Sequence, residues 1–485
     1  MAAISTQPAA SPGGEPTSVP DAPGRGTLLV VLTGVFMTTL DFFIVNVAIP
    51  STQRDLDASA AEVQWIVAGF GLAYGVGLIT GGRLGDLYGR RKMFSLGMIL
   101  FTIASAACGL APTAGFLIGA RVAQGVAAAL LAPQVLAILR TAFTGLAQAK
   151  AFSAYGLSMG LAAVFGQLIG GLLIKADIFG LDWRSCFLIN IPVGIVTLLL
   201  VPKFVPESRA PGRPRLDPVG MFLVTLALVA TVLPLIEGRE QDWPAWTIVS
   251  FVVAVVLFAI FGTVQARMAA NDKGPLLNPA MFRERAFTVG LLAQLVFWMG
   301  QASFFLVFAL YVQEGRGLDA LGAGLIFVAI GVGYLATSVN AHHLARRLGR
   351  QVLAVGGLVM AVGLVLVALA VHRIGVGGNI GWLVPGLILD GAGMGMVVGP
   401  LAATVLARVS PHNAGAAGGV LATGLQIGNA IGVSIIGLIF YGALGDAPRP
   451  ADFAHAFNLS LIYLIVVGVV LAGLVQLLPN GAPKK

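Results

Sequence analysis

The chain has 485 residues, 57% of them hydrophobic and 10% charged, with a formal net charge of +8 and a mean hydropathy of +0.91. Soluble domains carry about 25% charged residues, so that class is excluded. The basic residues are dispersed among apolar runs and gathered on no single face, which argues against nucleic acid as a partner.

Residues 1–26 are rich in Pro, Ala, Ser and Gly, lack an apolar period, and are predicted to form a disordered tail. No basic segment followed by a short apolar run and a cleavage site precedes the first apolar stretch, so that stretch is expected to stay as a membrane helix. Fourteen runs follow, near 28–48, 64–82, 93–111, 114–137, 151–174, 184–202, 217–236, 246–266, 287–311, 320–341, 351–371, 381–406, 414–441 and 457–478. Each is close to the ~20 residues that cross a bilayer. The chain is therefore expected to be an all-α integral membrane protein. The divisions predicted are the tail 1–26, six helices over 27–204, a Pro/Arg-rich linker with two further helices over 205–285, six helices over 286–479, and a tail 480–485.

Orientation follows from the basic residues, which are retained on the cytoplasmic side. Of the 29 Lys and Arg, 21 fall in segments on the side of the N-terminus, seven on the other side, and Arg121 inside a helix. Both termini are expected in the cytoplasm. Cys108 and Cys186 lie in or beside apolar runs, and the five histidines form no zinc pattern, so no metal is expected. No P-loop is present, which argues against direct ATP drive. No convergent nucleophile, base or metal set suggests an enzyme. No loop is long enough for the output domain of a receptor.

The run Gly82-Arg83-Leu84-Gly85-Asp86-Leu87-Tyr88-Gly89-Arg90-Arg91-Lys92 sits between the second and third apolar runs, where a tight reversal is expected. It resembles the signature loop of the major facilitator superfamily, G-x-L-a-D-x-x-G-R-[RK]-[RK]. The frame returns 260 residues later, where Leu344, Gly349 and Arg350 match Leu84, Gly89 and Arg90, with Arg346 in the place of Asp86. Glycine-rich fifth and thirteenth helices echo each other in the same way. Two copies of a six-helix unit are the plan expected of that superfamily's halves. Six, two and six helices resemble its fourteen-helix drug:proton antiporter branch, the EmrB/QacA-like exporters, over nearly the whole chain after residue 26. The resemblance implies two six-helix bundles plus two inserted helices. It also implies proton-coupled export of lipophilic drugs or related small molecules by alternating access, with the proton gradient in place of a cofactor. A dedicated carrier for one metabolite or solute is the alternative within the superfamily. A monomer in a bacterial cytoplasmic membrane is expected; the sequence names no periplasmic adaptor.

Candidate site residues follow from burial cost and from the resemblance. Asp41 lies ~13 residues, or ~20 Å, into the first helix. A carboxylate there must pair, meet water or bind a proton. Its run Leu40-Asp41-Phe42-Phe43-Ile44-Val45-Asn46-Val47-Ala48-Ile49-Pro50 is similar to the branch's first-helix signature, with Phe43 where threonine is usual. Proton coupling and a purely structural bond to Asn46 or the backbone both fit Asp41. Arg121, in R-x-x-Q-G-x-x-x-A, matches the family's fourth-helix motif, to which proton transfer is attributed; binding backbone carbonyls is its plainer role. Gly166-Gln167-Leu168-Ile169-Gly170-Gly171 resembles the antiporter motif G-P-x-x-G-G with the proline replaced by Gln167. Asp390 is the other mid-membrane carboxylate and a candidate second proton site. By resemblance Asp86 and Arg90, with Gly82, Gly89 and Arg91, form a conformational latch. Trp183, Arg184, Phe187, Asn190, Pro192 and Gly194 resemble the sixth-helix entrance and point to no chemistry. Phe42, Phe43, Asn46, Gln124, Gln167, Trp298, Phe305 and Gln426 are the expected lining of the substrate cavity, within a set of aromatics on the first and ninth helices.

Overall fold

The computed structural model describes residues 24–209, 217–238, 241, 243–271, 273, 275–277, 279–406, 414–445 and 449–479. Of the expected tails, residues 1–23 and 480–485 lie outside the described residues, as do most of the linker's basic cluster, Arg239, Arg408 and the side chain of Arg346, whereas Arg25 and Gly26 open the first helix. Among those described there is no strand, and fourteen helices are long and apolar enough to cross a membrane. They include α1 Arg25–Leu56, α2 Ala60–Tyr88, α3 Arg90–Gly109, α4 Ala114–Ala142, α5 Gly145–Ala176, α6 Asn190–Phe204, the main part of a span that begins at Asp182, and α7 Pro218–Glu237. The second seven are α8 Ala245–Ala270, α9 Arg285–Leu310, α10 Ala320–Ser338, α11 Gln351–Ile374, α12 Val384–Leu406, α13 Ala414–Leu444 and α14 Pro450–Val475.

Polar side chains start several of these helices where the first backbone N–H groups lack partners. Ser59 and Glu62 form a capping box on α2, and Asp217 and Asp319 accept from Gly220 N and Gly322 N at 2.8 Å. The Ser59 amide and hydroxyl hold the exposed Glu62 carboxyl below its ordinary range. Proton binding as pH falls through that lowered value weakens the cap.

The pairings within α1–α6 recur within α9–α14. α4 packs on α2 and α3, as α12 packs on α10 and α11, and α1 packs on α5 as α9 packs on α13. Across the two bundles α5 meets α10 and α2 meets α13. The α5/α10 seam is close because a Cβ on Gly324 would stand 2.8 Å from Gln167 O, and one on Gly160 would overlap the Tyr334 ring. Tyr334 Oη donates to Gly156 O at 2.6 Å.

The inserted helices differ from each other. α8 packs on α7 and exposes Val249, Val252, Val255 and Val256, as lipid contact requires. α7 instead lies on both α2 and α13. It is fastened at one end by Trp65 Nε1 donating to Glu237 and by Ser434 Oγ donating to Leu235 O.

The run 82–92 is no loop. α2 continues to Tyr88, and the only break before α3 is Gly89 at φ +110°. A side chain there would be strained in this conformation and would meet the Glu207 carboxylate at 2.7 Å. Gly349, at φ +56°, ends the helix Ala341–Leu348 in the equivalent place.

Candidate functional site

Asp41 falls at the middle of α1 and is fully buried. Its Oδ2 accepts from Arg121 Nη1 of α4. Its Oδ1 accepts from Gln124 Nε2 at 2.7 Å and from Asn190 Nδ2 at 2.8 Å. Gln124 Nε2 also reaches Ser105 Oγ of α3 at 2.7 Å, and Asn190 reaches the same hydroxyl at 3.2 Å. The four-residue period of α4 places Arg121 and Gln124 on one face, where Arg121 Nη1 donates to Gln124 Oε1 at 2.7 Å. Arg121 Nε donates to Ile66 O of α2 at 3.0 Å, and its guanidinium lies 4.4 Å from the centroid of Phe70. Asp41 is thus held by α4 and α6, and its partner is not Asn46.

The chemistry of this arrangement is one-sided. Every nitrogen facing Asp41 is a donor, so the set fits a carboxylate and offers no acceptor for a proton placed on it. A proton on Asp41 would also leave the guanidinium charge buried and uncompensated. A neutral Asp41 would keep a hydrogen bond to Arg121 but lose the charge attraction that holds the pair. Separating a buried pair in this way costs about 3–5 kcal/mol unless water or another partner replaces it.

Ser105 and Asn190 were not expected at the site. Asn190 lies inside the recognised sixth-helix run, and a buried amide near a membrane acid was the available signal. Asp390 lies on α12, is 3% exposed, and has no ion-pair partner among the described residues. Asp86 accepts from Arg90 Nη2 at 2.9 Å across the Gly89 break. Arg91 N donates to Glu207 at 3.1 Å and its side chain to Val205 O at 3.4 Å. Gly82 abuts Pro133 of α4. The Gly82 and Asp86 contacts stay within the first bundle, and those of Arg91 reach Val205 and Glu207 just beyond α6.

Beside the network lies a cavity of about 170 Å³ between α2, α7, α9 and α13, reached also by Phe42 and Ile49 of α1. Of the expected lining only Phe42 and Gln426 contribute. Phe43 is buried with its ring 5.0 Å from Phe305, so these two fill the contact between α1 and α9. Trp298 packs in the core against Phe297, Gln124 belongs to the Asp41 network, and half-buried Asn46 does not reach the cavity. Gln167 donates to Phe43 O at 3.1 Å, so the glutamine that replaces proline is tied to the backbone of the other departing position. The remaining aromatics of α9 stack inward, as Phe304 does on Phe308. Phe42 and Arg121 both pack on Phe70, at 6.2 Å between rings in the first case, so one buried ring separates cavity from charge network.

Fourteen apolar helices, two bundles of matching packing and a buried charge pair beside a cavity describe a multi-pass membrane transporter. The family model described as Major Facilitator Superfamily matches residues 31–433 and 290–485, and the chain belongs to that family. A probable actinorhodin transporter of Streptomyces coelicolor is 37% identical over 447 residues, covering 90% of this chain and 77% of the relative. The puromycin resistance protein pur8 of Streptomyces alboniger is 34% identical, covering 92% and 88%. A solved structure of a POT family transporter in complex with a thioalcohol-conjugated peptide superposes with a TM-score of 0.65 over 93% of this chain and 95% of its own, at 16% identity. That likeness concerns the fold.

Proposed function

We propose that the chain exports lipophilic small molecules in exchange for protons, with Asp41 as the proton-binding group and Arg121 as its competitor. The observation that carries the reading is the sealed Asp41 site, whose three donors suit the carboxylate alone. Proton entry displaces Arg121, and the displaced cation favours a conformation in which it meets water or another partner. A ligand that prefers the opposite conformation is then driven by the gradient, because each binds the two states with different affinity. Phe70, between Arg121 and the cavity-lining Phe42, is the contact through which one site feels the other. Relatives named for actinorhodin transport and puromycin resistance support export of such compounds, either as a class or singly.

In this reading Asp390 is a second proton site, the group around Asp86, Arg90 and Arg91 holds the basic ends of α2 and α3 in one state, and both termini face the cytoplasm of a bacterial cell. One copy suffices, since both bundles are in one chain. The test is proton release. With protein in liposomes and a pH dye in a weakly buffered lumen, an inward gradient of ethidium or a phenolic dye should move protons in the opposite direction. Dye movement with no proton movement would overturn antiport.

A further inference from the structure

The cavity described above runs towards one side of the bundle. Ile49, Leu235, Leu310 and Tyr441, near the ends of α1, α7, α9 and α13, all line it, as does Val63 near the start of α2. Val232 and Leu235 of the inserted helix α7 form part of its wall there.

The two ends of α7 are held in different ways. At its start, Asp217 is 3% exposed and Gln265 of α8 is 1% exposed. Asp217 Oδ2 accepts from Gln265 Nε2 at 2.6 Å, and Gln265 Oε1 accepts from Leu277 N at 3.0 Å. Val224 and Leu228 on the same half belong to the core with Phe261, Leu276 and Phe287. At its far end the fastenings are polar and only half-buried. Glu237 Oε1 accepts from Trp65 Nε1 of α2, and Glu237 Oε2 accepts from the exposed Gln241 at 2.6 Å. Gln241 Oε1 in turn accepts from Trp246 Nε1 of α8 at 3.0 Å. Ser434 Oγ of α13 donates to Leu235 O beside them. Segments with few buried contacts open at the lowest free energy, so the far end opens more readily than the start.

Pro234 stands between the two ends. Proline has no N–H for the carbonyl four residues back, and its ring crowds that carbonyl, which is why helices kink there. The carbonyl left without its helical partner is Ala230 O, and Ser250 Oγ of α8 donates to it at 2.9 Å. The helix is thus weakened one turn before its last fastening, on the stretch that lines the cavity. We infer that the last turn of α7 is a lid on the cavity, hinged at Pro234 and latched to α2 through Glu237 and Trp65, whose lifting opens the cavity to ligands. Access through a lid is independent of what drives export.

Gly71 of α2 provides a reporter position. A Cβ there would lie 3.6 Å from the Phe42 ring and 4.0 Å from Gln426 Oε1, both in the cavity wall and both at ordinary contact distance. The experiment measures how fast Gly71→Cys reacts with N-ethylmaleimide in the full-length protein in lipid nanodiscs, read by intact mass. Native Cys108 and Cys186 are fully buried and report any general unfolding. Glu237→Leu should raise the rate at Gly71→Cys at least about tenfold, the effect of losing hydrogen bonds to a charged group, with the native thiols still unreactive. Trp65→Phe, which keeps a ring and removes the donor, should also raise it. Pro234→Ala restores the missing N–H and should slow the reaction. A rate unchanged in either latch variant overturns the lid. So does a rise shared by the native thiols, since Glu237 would then hold the fold as a whole. A rate unchanged in Pro234→Ala overturns the hinge. Proton release on dye movement, measured separately, decides the export reading: if it persists while the latch variants label like wild type, the lid alone has failed.

Discussion

Replacing Arg121 with methionine keeps most of the side chain's apolar stem and removes the cation that faces Asp41. Asp41 is then left with Gln124 and Asn190, two neutral donors, in a site with no exposure to solvent. Loss of one partner from a buried ion pair costs about 3–5 kcal/mol. Asp41→Asn removes the opposite charge and strands the guanidinium, at a similar cost. The double variant buries no net charge, so its loss should fall short of the summed single losses by about 2–3 kcal/mol, the coupling expected of directly touching groups. The chain's only two thiols, Cys108 and Cys186, are both buried, and Cys108 lies 3.6 Å from Gln124 within the network. A maleimide fluorophore added during unfolding therefore reports exposure of the site directly. Additive losses in the double variant would refute the pairing and leave Asp41 and Arg121 as independent structural residues.

Three further outcomes follow from contacts elsewhere. Asp319 pairs with Lys175 at 3.7 Å with both side chains more than half exposed, and it also caps α10. Asp319→Asn should thus cost under about 0.5 kcal/mol, because the cap remains and exposed pairs contribute little, whereas Asp319→Ala should cost about 1 kcal/mol; equal losses in thermal unfolding would contradict this. Gly160→Ala should destabilise by about 1–3 kcal/mol through overlap with the Tyr334 ring, and Tyr334→Ala in the same chain should recover part of that loss; no recovery would place the strain elsewhere. Asn190→Leu removes one of three donors from Asp41 and should lower gradient-driven transport at least about tenfold, given the 1–3 kcal/mol attached to an unsatisfied buried group, while Pro192→Ala, two residues on, should leave it near wild type; equal effects would argue for a general packing defect in α6.

Membrane class, helix number and the two-bundle plan were legible in the sequence, because spanning length and apolar continuity are local properties of the chain. Asp41 and Arg121 were legible for a related reason: charge in the middle of an apolar run stands out whatever the fold. Their partners were not. Ser105 and Asn190 carry no charge; Asn190 reaches Asp41, and Ser105 reaches Gln124 and Asn190, only because α3 and α6 pack against α1 and α4. The cavity was the least legible part. Aromatic content on α1 and α9 suggested a lining, but the helix period turns Phe43 and Phe305 into the contact between bundles and leaves Phe42 on the open side. The seat of α7 on α2 and α13 is fastened by Glu237 meeting Trp65 across 172 residues, which no local pattern encodes. The break at Gly89 was expected as a loop because glycines and charges cluster there; one left-handed residue is enough to reverse the chain.

In the proposed exchange, proton binding at Asp41 competes with Arg121 and drives transport. The most direct test is transport in proteoliposomes under an imposed pH gradient, comparing wild type with Asp41→Asn and including counterflow without a gradient. The account predicts gradient-driven movement of ethidium or a phenolic dye in the wild type, its loss in Asp41→Asn, and retention of counterflow by that variant. Equal gradient-driven movement in both proteins would contradict it.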